Sequence, residues 1–152
     1  MANVLIGGEG RAARATRSIY LFLFPIPVVC FIGALVTDVV YASSAYLMWL
    51  HFSQWLIAAG IAFGVLAGTA LLVELISSRA LRAAAVGWAH AALFYVGLAV
   101  EVFNALEHTA DGYTAVVPTG MTLSVIGAML MFLSAVTLMR VPARSIEVRR
   151  FR

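Results

Sequence analysis

Charge is what this sequence has least of. Only 11% of its 152 residues are charged and 63% are hydrophobic, with a mean hydropathy of +1.00. Soluble domains run at about 25% charged and roughly 45–50% apolar, so a soluble globular domain and a disordered segment are both excluded. Cysteine is nearly missing. Cys30 stands alone in an apolar run, and one thiol cannot form an internal disulfide, which excludes a disulfide scaffold. Lysine is absent, and all ten basic residues are arginine. Several catalytic signatures are also absent: a Gly-rich phosphate loop, a cysteine pair for an iron–sulfur site, His-Glu-x-x-His, Gly-x-Ser-x-Gly and Cys-x-x-Cys-His. The chain is not expected to be catalytic on its own. The net charge of +3 has no basic domain behind it, so no nucleic-acid partner is expected.

What the chain has instead is four apolar stretches, over about 19–42, 46–76, 83–106 and 118–139. Each reaches the roughly 20 residues that a bilayer core requires at about 1.5 Å per residue. The pattern predicts an all-α fold, an integral membrane four-helix bundle in contact with the lipid bilayer. The second stretch is longer than a bilayer needs, so its first turns should protrude. Pro25 and Pro27 should distort the first helix or delay its start. Pro118 suits the first turn of the last helix, and Pro142 should stop it.

Arginine sets the expected orientation. Arg11, Arg14 and Arg17 precede the first span; Arg79 and Arg82 separate the second from the third; Arg140, Arg144, Arg149, Arg150 and Arg152 follow the fourth. The other two loops carry no basic residue. This is a positive-inside pattern and places the N- and C-termini in the cytoplasm. Residues 1–18 are expected to form a cytoplasmic tail, 19–140 the transmembrane domain and 141–152 an Arg-rich cytoplasmic tail. The first apolar run exceeds the 7–15 residues of a signal core, so it reads as a retained helix.

Gly60, Gly64 and Gly68 repeat at four-residue spacing on the second helix, a pattern that lets helix backbones approach closely. The contact is expected inside the bundle, or with a second copy or another subunit in a homo- or hetero-oligomer.

Ionisable groups inside spans are costly and suggest function. Here they are Asp38, Glu74 and Glu101, with His51, His90 and His108 near helix ends. Glu74 should reach the interface or pair with Arg79 or Arg82. On the third helix His90, Glu101 and His108 fall within roughly 20° of one another at about 100° per residue, with Asn104 near the same stripe. That face should look into the bundle, since lipid cannot satisfy it. His90 and His108 are about 27 Å apart along the axis and cannot share one metal. His51 and His108 lie at similar depth on adjacent helices, so they are candidate axial ligands of a b-type haem. With Asp111 or Glu107 they are candidate ligands of copper or zinc. A His beside a Tyr or Trp at the membrane boundary also suits a quinone site.

The runs Leu23-Phe24-Pro25-Ile26 and Gly33-Ala34-Leu35-Val36-Thr37-Asp38 form a pattern with Trp55, Gly60, His90 and Phe103-Asn104. It continues through His108, Asp111-Gly112-Tyr113, Val116-Val117-Pro118-Thr119-Gly120 and Leu123-Ser124. Over about residues 19–139 the chain resembles a family of bacterial predicted membrane proteins of unknown function, usually drawn with four helices. Some members are fused to a Rieske-type domain, and others are encoded beside quinoprotein dehydrogenases. The resemblance implies a multi-pass protein of the bacterial inner membrane and points to Asp38, His90, His108 and Asp111. Many relatives carry a His-Pro pair where this chain has Ser18-Ile19, and His51 falls outside the pattern.

The expectation is a membrane subunit that anchors a periplasmic or membrane redox protein or accepts its electrons, with quinone or haem b as the cofactor. Asp38, Glu101, His108 and Asp111 would form the partner or quinone site. His51, His90, Asn104, His108 and Tyr113 would be cofactor contacts. The alternatives are a b-type cytochrome subunit and a structural accessory subunit of a larger complex without cofactor. Transport would need a continuous polar path that the neighbouring helices do not offer.

Overall fold

The computed structural model describes residues 19–77, 81–82, 85–110 and 113–140. The helices are α1 (Pro25–Ser44), α2 (Leu47–Ser77), α3 (Ala85–Glu107) and α4 (Thr119–Met139), with a short 3-10 turn at Tyr113–Ala115. All four are long and apolar enough to cross a membrane, the first counted over Ile19–Ser44. The chain is a membrane protein with four candidate spans among the described residues. No strand occurs among the described residues.

Local chemistry sets the helix ends. The first span breaks at Phe24 and restarts at Pro25, so the prolines occupy the first helical turn, where a missing N–H costs little. Phe24 N–H still donates to Tyr20 O at 2.8 Å, which keeps the segments in line. At the far end Ala45 takes a left-handed conformation (φ 53°) and its N–H closes on Tyr41 O at 2.7 Å. This cap lets the chain reverse into α2 within two residues. At the end of α2 the Arg82 guanidinium donates to Leu75 O at 2.5 Å and to Ile76 O, covering two terminal carbonyls. With 31 residues α2 is the longest helix; at about 46 Å it exceeds a ~30 Å hydrocarbon core and must tilt or protrude.

The helices form an antiparallel ring in which α1 packs on α2 and α4, and α3 packs on α4 and α2. The main apolar core contains Phe31, Leu71, Phe94 and Met131, with Tyr20 and Phe24 toward the α1 start. A smaller cluster of Tyr41, Leu50 and Val116 closes the opposite end, where the α1–α2 and α3–α4 turns lie. Outside, Phe22, Trp55, Phe103 and Phe132 are exposed, as lipid contact requires. Gly60, Gly64 and Gly68 are buried and face inward: a β-carbon at Gly60 would collide with the Phe31 ring, at Gly64 it would lie 2.7 Å from Leu98 Cδ1, and at Gly68 3.2 Å from Tyr95 Cε1. The glycine face holds α2 against α1 and α3.

Candidate functional site

Between the apolar core and the Tyr41–Leu50–Val116 cap lies a layer of buried polar side chains. Asp38, Ser53, Glu101, Asn104 and Ser124 are all 0% exposed, and His108 is 1% exposed. Every helix contributes. Asp38, Ser53, Glu101 and Ser124 each sit about 8–9 Å in from the turn end of their own helix at about 1.5 Å per residue. Equal depth on four antiparallel helices is what lets them meet.

Asp38 is the hub. Ser53 Oγ donates to its Oδ1 at 2.5 Å, Ser124 Oγ donates to its Oδ2 at 2.5 Å, and His108 Nε2 lies 3.0 Å from Oδ1. The other imidazole nitrogen, Nδ1, is 3.0 Å from the Asn104 carbonyl. A carbonyl only accepts, so Nδ1 must carry a proton. The Nε2–Oδ1 contact then needs a proton of its own, shared between imidazole and carboxyl. Burial opposes the charged form of His108, but the hydrogen bond and negative charge of Asp38, with smaller help from Asn104 O and Glu101, outweigh it and hold the imidazole above its ordinary pKa. Gln54 Nε2 anchors the segment by donating to His108 O at 2.5 Å.

Asn104 continues the network. Its Nδ2 donates to Glu101 Oε2 at 3.0 Å and to Ser124 Oγ at 2.8 Å. Glycines on α4 make the room: a β-carbon at Gly127 would overlap the Glu101 carboxyl, and one at Gly120 would lie 2.9 Å from His108 Cε1 and 2.5 Å from Ala115 O.

A second polar cell sits at the other end of the core. The Tyr20 hydroxyl donates to His90 Nε2 at 2.5 Å, and His90 Nδ1 is 2.9 Å from Ser134 O. Ser134 Oγ also lies 2.9 Å from Nδ1 and reaches His90 O at 3.2 Å. Glu74 lines the same small cavity as Tyr20 and His90. A more open, apolar groove of about 390 Å³ runs between α2 and α3 at this end, bordered by Leu72, Tyr95, Arg82 and Trp88.

The polar face of the third helix thus divides into two separate cells, with Glu101, Asn104 and His108 in one and His90 in the other. His51 stands apart: it is exposed on α2, while both ring nitrogens of the buried His108 are engaged. As placed, the two do not form an axial haem pair. Among the described residues no three His, Cys, Asp or Glu side chains converge to hold a metal. Asp111 lies outside the described residues, and so does the side chain of Tyr113. Asp38, readable as an interfacial acid, is instead fully buried. Arg82 turns to the α2 carbonyls, and Arg79 lies outside the described residues. Sequence reasoning assigned no role to Ser53, Ser134, Gly120 or Gly127. A buried carboxylate must find donors, and counting inward from the helix ends would have selected Ser53 and Ser124 as the hydroxyls level with Asp38.

A family described as predicted membrane proteins, DUF2231, matches residues 20–137. The chain belongs to that family. The match begins at Tyr20 and ends on α4, so it takes in both polar cells of this DUF2231 protein. No curated protein and no solved structure matches the chain.

Proposed function

We propose that this DUF2231 protein is a membrane subunit of a redox assembly, which anchors a redox partner or passes its electrons to a membrane quinone. The observation that carries the reading is the Asp38–His108 pair. It is a proton-holding pair at the turn end of the bundle, covered by Tyr41, Leu50 and Val116. Reduction of a quinone takes two electrons and two protons. The partner would supply the electrons, and Asp38 with His108 would deliver the two protons in turn, the pair being reprotonated each time from water at the turn end. The lack of arginine in the two turns at that end supports placing it on the outer face of a bacterial inner membrane, with residues 1–18 and 141–152 as cytoplasmic tails. Asp111 and Tyr113, which lie between α3 and α4 in the sequence, would complete the site.

A photoreactive quinone analogue tests this in native membranes. Labelling is expected within residues 108–118 or on the last turns of α1, with unlabelled quinone competing for it. Labelling confined to other parts of the chain, or insensitive to competition, contradicts the proposal.

A further inference from the structure

Two buried oxygens in the polar layer have no hydrogen-bond partner: Glu101 Oε1 and Asn104 Oδ1. Both residues are 0% exposed. Elsewhere the two side chains are fully used, with Asn104 Nδ2 donating to Glu101 Oε2 at 3.0 Å and to Ser124 Oγ at 2.8 Å. Ser124 sets the amide orientation: its hydroxyl proton goes to Asp38 Oδ2, so its Oγ must accept from Asn104 Nδ2. What is left is one carboxyl oxygen and one amide oxygen on adjacent side chains, each a buried acceptor without a protein donor. Buried acceptors without donors are rare and costly.

We propose that Glu101 and Asn104 form a proton-binding site, in which one exchangeable proton bridges Glu101 Oε1 to Asn104 Oδ1. The arrangement is that of a carboxylic acid paired with a primary amide. The acid accepts from the amide N–H through Oε2 and donates through Oε1, closing a ring of two hydrogen bonds. One proton satisfies both orphaned oxygens and removes an unpaired charge from the bundle interior. Gly127 keeps the space beside Oε1 free of a side chain.

The one cation near the site, the His108 imidazole when it carries the shared proton, is already paired with Asp38. The titratable groups facing Glu101 are Asp38 from α1 and His108 beyond α3. From α4 come Ser124 and Gly127, and α2 brings Ser53 into the layer. With one proton on Glu101 and one shared by Asp38 and His108, the layer is electrically neutral. The inference does not rest on a redox role, and it adds a second protonatable site beside Asp38–His108.

Infrared spectroscopy of the full chain in lipid vesicles at neutral pH tests it. The expected result is a protonated-carboxyl C=O band that is lost in Glu101→Gln, retained in Asp38→Asn and unmoved by sodium. Glu101→Gln preserves the ring, since its amide can donate to Asn104 Oδ1, so that variant should fold with unchanged thermal stability. Absence of a Glu101-dependent band in the wild type overturns the proposal. So does its disappearance on adding sodium at constant pH, which would make the site one for a metal cation.

Discussion

Asp38 decides the energetics of the polar layer. Its carboxyl gathers Ser53, Ser124 and His108 within 3.0 Å, and each of those groups would be left buried without its partner if the carboxyl were removed. Breaking a buried pair on one side costs about 3–5 kcal/mol. Asp38→Ala should therefore destabilise the bundle by that order, measured by unfolding in detergent. Asp38→Asn, which keeps the size and two of the polar positions, should cost less. A loss under about 1 kcal/mol for the alanine variant would mean that the carboxyl faces solvent. The ionisable residues themselves were legible in the sequence, because charge in an apolar run is conspicuous. Their partners were not. Ser53 and Ser134 look like ordinary helix residues until the register of four helices is known.

At the level of the element, α3 and α4 hold the site through a shape match. The Glu101 carboxyl rests where Gly127 has no side chain. Gly127→Ala should destabilise by about 1–3 kcal/mol, the usual cost of overpacking. The same change made in a Glu101→Ala background should cost markedly less, and a double-mutant cycle measures the difference. Equal costs in both backgrounds would show that the two residues do not touch. The spans, the break of the first span at Phe24–Pro25 and the inward polar stripe of α3 followed from length, proline chemistry and helical period. The division of that stripe into two cells did not, because it depends on what α1 and α4 place opposite it: Tyr20 and Ser134 at one end, Asp38 and Ser124 at the other. The pairing of His51 with His108 failed for a related reason. Similar depth does not bring residues together when one faces outward and the other inward.

For the whole molecule, the bundle is an apolar plug of Phe31, Phe94, Met131 and Leu71 with a polar cell at either end. Among the described residues that plug separates the two polar cells, so any chemistry at one end is not joined through it to the other. The proposed redox role places that chemistry at Asp38 and His108, under the turn end. Quinone reduction by native membranes, driven by the redox partner's own electron donor, is the most direct measurement of this claim. The expected outcome is a loss of at least about tenfold in rate, roughly 1.4 kcal/mol in the barrier, for both Asp38→Asn and His108→Gln, with the protein still inserted and the partner still bound. Wild-type rates in both variants at equal protein levels would contradict the account.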